Sequence, residues 1–250
     1  MPLALVTGAN RGIGLGVAGQ LLDAGFTVLL GSRSLSKGQE AVKRQFSAYQ
    51  RSDVDRPVLV EWAKTGQVRA VQLDVTAPAD VFAVANRIDD EYGGTLHALV
   101  NNAAIDYDTD QHVLTADLHR VRRVWETNTL AVWRMCQVLA KALKKAGKQG
   151  RIVNVTSGAG AYDSLGTGTP AYSHSKAALN ALTLQLAAGF GESGVKVNAC
   201  GPGWVRTAMG GMGATRPVAE GASSIVWGVT GVADDGPTGG YFRDGKPQAW

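Results

Sequence analysis

No apolar run in this sequence approaches the roughly 20 residues that a helix needs to cross a bilayer, so no membrane-spanning segment is expected. Cysteine is nearly absent. Cys136 and Cys200 alone are too few for a disulfide framework or a zinc site, so a reducing, cytoplasmic setting and no metal are expected. Charge is also scarce, at 18% of residues against 45% hydrophobic. That balance excludes a disordered chain and leaves enough apolar surface for a full core. The stretch Met1 to Val6 has no basic start and passes directly into a strand-like run, so a signal peptide is not expected. The net charge of +4 is spread among acids. The one dense group, Lys141, Lys144, Lys145 and Lys148, falls where a helix should end, and cations there suit the helix dipole. A solvated helix end is therefore favoured over a nucleic-acid patch, and neither nucleic acid nor membrane is expected as a partner.

What is present is glycine, at 32 residues, and a steady alternation of strand-like and helix-like runs over a length of 250. That length and alternation predict one α/β domain spanning 1–250, a doubly wound, mostly parallel seven-stranded sheet with helices on both faces. The strands are expected at Leu3–Val6, Phe26–Leu30, Val68–Leu73, Leu96–Val100, Arg151–Val155, Val195–Ala199 and Gly240–Phe242. The longest helical pattern runs from Asp117 to about Lys145. A break at residues 53–57 and a short turn at 58–64 are expected between the second helix and the third strand.

Gly8-x-x-x-Gly12-x-Gly14 lies between the first strand and a helical pattern of Leu15, Val17, Ala18, Leu21 and Leu22. Bare backbone N–H groups and a helix dipole at such a turn can receive a pyrophosphate; a glycine-rich turn of another α/β protein is the alternative. The second strand ends in Gly31-Ser32-Arg33 with no acid to bind ribose hydroxyls. Arg33, with Arg11 from the glycine turn, suits a 2′-phosphate, and NADP(H) is preferred to NAD(H); two solvent-exposed arginines are the alternative. Asp74 ends the third strand beside Val75, at the crevice side of a parallel sheet where the adenine is the expected neighbour.

Tyr172 and Lys176 are four apart on a predicted helix and so share a face. A phenol beside an ammonium is a tuned acid, its pKa drawn below about 10; a surface helix pair is the alternative. Ser157, just past the fifth strand, can hold a substrate oxygen against that phenol. Asn128 is an amide on an otherwise apolar stripe, either packed on backbone or holding a water that leads to Lys176.

In one chain, Thr7-Gly8-x-x-x-Gly12-x-Gly14, Asn101-Asn102-Ala103, Tyr172-x-x-x-Lys176 and Pro202-Gly203 stand in an order that resembles the short-chain dehydrogenase/reductase family. Pro202 to Thr207 and Gly236 to Phe242 resemble its carbonyl-reductase branch. The resemblance implies NADPH-dependent reduction of aldehydes or ketones. Tyr172 would be the general acid/base, Lys176 would tune it, Ser157 would polarise the carbonyl and Asn128 would support a proton relay. It also implies that Gly8, Asn10, Arg11, Gly12, Ile13, Gly14, Arg33, Asp74, Val75, Asn101, Ala103, Tyr172, Lys176, Pro202, Gly203, Val205 and Thr207 bind the cofactor. A small-molecule carbonyl substrate and a homodimer or homotetramer are implied as well. Thr156-Ser157 replaces the usual Ser-Ser, and Ala104 stands where glycine is commoner. The segment between Arg33 and Val68 is longer than the family norm. A 3-oxoacyl-carrier-protein or hydroxysteroid-type enzyme, and an NADP(H)-sensing protein, are the alternatives.

Overall fold

The run Leu3–Val6 is buried at every position. Such a strand must be covered on both faces, which a parallel sheet between two helix layers provides. The computed structural model describes residues 1–50 and 66–250; the break and turn expected at 53–64 lie outside the described residues. It places β1 (Leu3–Val6), β2 (Thr27–Ser32), β3 (Val68–Gln72), β4 (Ala98–Asn101), β5 (Arg151–Val155), β6 (Lys196–Cys200), β7 (Tyr241–Arg243) and β8 (Lys246–Pro247) in one sheet. The order is β3-β2-β1-β4-β5-β6-β7-β8, parallel up to β7, with β8 antiparallel to it. The seven-strand expectation is short by β8. Asp244 and Gly245 join β7 to β8 with φ of 53° and 74°, the positive-φ hairpin geometry that Asp-Gly favours. A two-residue strand carries no periodicity from which to read it.

Among the described residues the α-helices are α1 (Gly12–Asp23), α2 (Leu35–Gln50), α3 (Pro78–Glu91), α4 (Leu118–Trp125), α5 (Ala131–Val138), α6 (Ala140–Ala146), α7 (Pro170–Phe190) and α8 (Val218–Thr230). Alternate residues of β1 serve opposite layers. Ala4 and Val6 meet Val17 and Leu21 of α1 and Ala222 and Ile225 of α8. Leu3 and Leu5 belong with Ile88 of α3, Met135 of α5, Leu143 of α6 and Leu179 of α7. Each large aliphatic side chain buried this way contributes about 1.5–3 kcal/mol.

The long helical pattern is not one helix. A π-helical turn at Glu126–Leu130 separates α4 from α5, and Leu139 (φ −90°, ψ 2°) separates α5 from α6. Val124, Asn128 and Val132 keep a four-residue spacing across the turn, which an unbroken α-helix also accepts, so the sequence pattern does not show it. Asn128 sits inside that turn.

From β1 the chain builds outward through β2 and β3, then returns to lay β4 on the other side of β1. The connections leaving β1 and β4 therefore diverge. The crevice they open at the carboxyl ends of the strands is where ligands bind in open α/β sheets.

Candidate active site

Thr7 ends β1 and fixes that crevice. Its hydroxyl accepts the N–H groups of Asn102 (3.0 Å) and Ala103 (2.9 Å) from the end of β4. Asn102 Nδ2 donates back to the Thr7 carbonyl at 2.8 Å. Gly8 and Gly12 adopt φ of 63° and 56°, in the left-handed region that glycine enters without strain. Gly14 is required for a different reason: a Cβ there would lie 2.5 Å from Asn102 Nδ2 and 2.7 Å from the Gly8 carbonyl. The N-cap of α1, Arg11, makes no side-chain cap, so the first-turn N–H groups are available to an anion.

A cleft of about 750 Å³ lies over this turn. Its wall includes Gly8, Asn10, Arg11, Gly12, Ile13 and Gly14 from the turn, and Arg33, Asp74 and Val75 from the ends of β2 and β3. Ala103, Tyr172, Lys176, Pro202 and Thr207 complete the expected set that the structure brings together. Arg11 and Arg33 are exposed, and neither makes an ion pair among the described residues. Asp74 Oδ1 accepts from Thr76 N (2.9 Å) and Thr76 Oγ1 (2.7 Å), which orients the carboxylate.

At the other end of the cleft, α7 presents Tyr172 and Lys176. Lys176 Nζ lies 5.7 Å from the centre of the Tyr172 ring and donates to the Val155 carbonyl at 2.7 Å. The Ser157 side chain acts on the Tyr172 phenol in the sense that favours the phenolate, while its Oγ accepts from Ala159 N at 3.2 Å. Thr156, the alternative hydroxyl, is committed to Asn180 Oδ1 at 2.5 Å, which leaves Ser157 as the one facing the phenol. The edge of Tyr107 meets the Tyr172 ring at 5.0 Å between centroids, with the planes at 81°.

With this geometry in view, comparison with known proteins decides the family. A family model described as short chain dehydrogenase matches residues 2–215. The chain belongs to that family. It is 34% identical to the uncharacterized oxidoreductase YgfF of Escherichia coli, over 84% of this chain and 78% of that protein. It is 29% identical to carbonyl reductase [NADPH] 1 of Mus musculus, over 100% of this chain and 98% of that one. Among solved structures, an NADPH-bound carbonyl reductase from chicken fatty liver superposes with a TM-score of 0.85 at 30% identity, covering 100% of this chain and 94% of that one.

In this short-chain dehydrogenase five residues of the expected site set lie off the cleft wall. Asn101 does not reach the cleft. It is buried, donates to Asn154 Oδ1 at 2.9 Å, and leaves the cleft wall to its neighbour Asn102, because successive residues leaving a strand point to opposite faces. Val205 is 3% exposed and turned against α8, where a Cβ on Gly221 would fall 2.5 Å from its Cγ2. Gly203 faces Arg216 instead of the cleft, with φ of 75°. Arg206, Ala208 and Met209 from the same segment line the wall, and so do Arg123 and Glu126. The sequence already places Arg206, Ala208 and Met209 in a wall segment at 204–216; it missed Arg123 and Glu126, which belong to a helix and its π turn that were read only for their apolar stripe.

Asn128 and Ser157 are not on the cleft wall either. Asn128 Oδ1 accepts from Ile105 N (2.9 Å), while Nδ2 donates to Ile105 O (3.2 Å) and Ser175 Oγ (3.0 Å). Protein groups therefore occupy this amide side chain, and it ties the segment after β4 to α7.

The expected lowering of the phenol pKa is also corrected. Burial pushes Tyr172 up to about 12, opposed by the neighbouring Ser157 side chain. Burial also pulls Lys176 down to about 8. The ammonium is aimed at the Val155 carbonyl and not at the phenol oxygen, so desolvation outweighs the charge–phenol attraction that sequence spacing suggests. Among the described residues no cluster of His, Cys, Asp or Glu can hold a metal ion, and no helix is long and apolar enough to cross a membrane.

Proposed function

We propose that this oxidoreductase acts as a single domain over residues 1–250 and reduces aldehydes or ketones with NADPH. One observation carries the reading: Tyr172 and Lys176 share a cleft wall with a glycine turn and two cations that have no ion-pair partner among the described residues. The residues present fit a phosphorylated dinucleotide. Backbone at Gly8 and Gly14 sits where no side chain fits, the start of α1 offers N–H groups, and Arg11 and Arg33 match a 2′-phosphate. The NADPH-bound state of the chicken structure and the name of the mouse relative support this cofactor.

NADPH, when bound, supplies a hydride equivalent to the carbonyl carbon. The protein supplies the proton and the electrostatics. Tyr172, protonated well beyond neutral pH, gives its phenolic proton to the carbonyl oxygen as that oxygen gains negative charge. Ser157 donates a hydrogen bond to the same oxygen. Lys176, charged below pH about 8, stabilises the phenolate left behind. Asn128 acts as a positioning residue, holding the Ile105 segment on α7.

The test is NADPH consumption against a panel of aldehydes, ketones, quinones and β-keto esters, with NADH in parallel. Turnover of several members with NADPH, and little with NADH, is expected. NADPH binding without turnover of any member would overturn the reading in favour of a sensor. Turnover confined to β-keto substrates would favour the 3-oxoacyl class. The same reading places the enzyme in the cytoplasm as a homodimer or homotetramer.

A further inference from the structure

Asp108 is 0% exposed, yet it carries a carboxylate. Its Oδ2 accepts the N–H of Ala171 at 2.8 Å and its Oδ1 accepts the N–H of Tyr172 at 3.0 Å. These are first-turn donors of α7, which the helix itself cannot satisfy. A cap normally comes from the residue just before the helix. Thr169 holds that place but is left-handed (φ 49°) and makes no side-chain cap; its hydroxyl bonds Ser173 instead. The capping group thus comes from 64 residues upstream of Tyr172, on the segment that also carries Tyr107.

That segment is pinned on its other side as well. Asp106 has φ of 63°, a strained conformation for a non-glycine residue. Arg120 holds it by a two-pronged pair, Nε to Oδ2 at 2.7 Å and Nη2 to Oδ1 at 2.6 Å. Arg120 also reaches Asp110 at 2.7 Å, and Arg123 reaches Asp106 at 3.3 Å. Between the two pinned carboxylates stands Tyr107, edge-on to the Tyr172 ring.

We propose that Asp108 is a positioning residue for the reaction: it holds the main chain of Tyr172 and, through Tyr107, the phenol ring, in one fixed orientation. The proposal rests on the reading of Tyr172 as the proton donor. A local cap would satisfy the helix equally well; only a cap borne on the Tyr107 segment also locks the ring. Misplacing a reacting group by about 1 Å can cost on the order of 100-fold in rate.

The test compares the full-length enzyme with Asp108→Ala, Asp108→Asn and Thr183→Val. The last removes a buried hydroxyl that bonds Asn154 and Leu179 farther along α7, and serves as a control for general destabilisation. The readouts are kcat and KM for a turned-over carbonyl, NADPH affinity by fluorescence, melting temperature, and amide hydrogen exchange across 169–180. For Asp108→Ala, kcat should fall about 10- to 100-fold, with KM and NADPH affinity within about three-fold. Exchange at Ala171 and Tyr172 should accelerate. Asp108→Asn keeps one acceptor and should recover part of kcat. Thr183→Val should lower the melting temperature while keeping kcat. An Asp108→Ala enzyme with wild-type kcat overturns the proposal. So does a loss of kcat, KM and NADPH binding together in proportion to the unfolded fraction. If the wild type turns over no carbonyl, the proposed function fails by itself. The exchange readout still decides Asp108, because unchanged exchange at Ala171 and Tyr172 removes the brace.

Discussion

Burial acts on Tyr172 and Lys176 in opposite senses, and each consequence can be measured. A phenol near 12 stays protonated throughout the working range, whereas an ammonium near 8 does not. Reduction should therefore be flat in pH below about 8 and decline as Lys176 loses its proton above it. Steady-state kcat/KM from pH 6 to 10 checks this, and Lys176→Arg, charged throughout, should abolish the decline. A first limb at pH 10 or above would contradict it. Tyr172→Phe removes the proton donor and should cut kcat by about 10²–10⁴-fold, with NADPH affinity nearly unchanged. Arg11 and Arg33 act at the other end of the cleft. A hydrogen bond to a charged group contributes about 1.5–3 kcal/mol, so Arg33→Ala should weaken NADPH by about 10- to 100-fold and leave NADH almost untouched. Equal loss for both cofactors would remove the 2′-phosphate assignment.

At the scale of elements, close approach decides what can be changed. Gly160, on the loop after Ser157, lies against α7. A Cβ there would meet Lys176 Cβ at 2.6 Å and Lys176 backbone carbon at 2.7 Å. Neither can yield without moving the helix. Gly160→Ala should cost roughly 1–3 kcal/mol, about 2–4 °C of Tm per kcal/mol at this chain size, and should lower kcat because Ser157 and Lys176 shift apart. The turn between β7 and β8 is held differently. Arg216 grips Asp244 through Nη1 (2.8 Å) and Nη2 (2.7 Å), and the guanidinium keeps that carboxyl below the usual 3.8. A depressed folded pKa gives stability that is complete above 3.8 and is lost as pH falls below it. Asp244→Asn should therefore lower Tm at pH 7, and calorimetry should show the difference shrinking as pH falls below 3.8.

Across the whole molecule, the helices that carry the site also present apolar side chains to solvent. Leu118 on α4 is 62% exposed, Leu130 in the π turn 42%, Trp133 on α5 43% and Leu184 on α7 45%. They lie on the π turn that holds Asn128, on the helices flanking it and on the helix that carries Tyr172. The proposed homo-oligomer predicts that Trp133→Glu shifts the particle to a monomer by light scattering. A monomeric wild type would end that proposal. Oligomer contacts there would bear directly on α7, and so on Tyr172.

The sheet, its switch point and most of the cleft were legible in the sequence. Buried parallel strands read as unbroken apolar runs, and glycines at a strand–helix turn record where backbone needs positive φ or close contact. Tyr172 and Lys176 are linked by helical spacing, which is a local property of the chain. What only the tertiary structure decided depends on residues far apart in sequence: Asn102 in place of Asn101 on the cleft wall, Asn128 held by Ile105 and Ser175, and Asp108 capping α7 from 64 residues away. The phenol and ammonium pKa values belong to the same group. Spacing shows that the two side chains are neighbours, but desolvation depends on everything packed around them, and no local pattern records that.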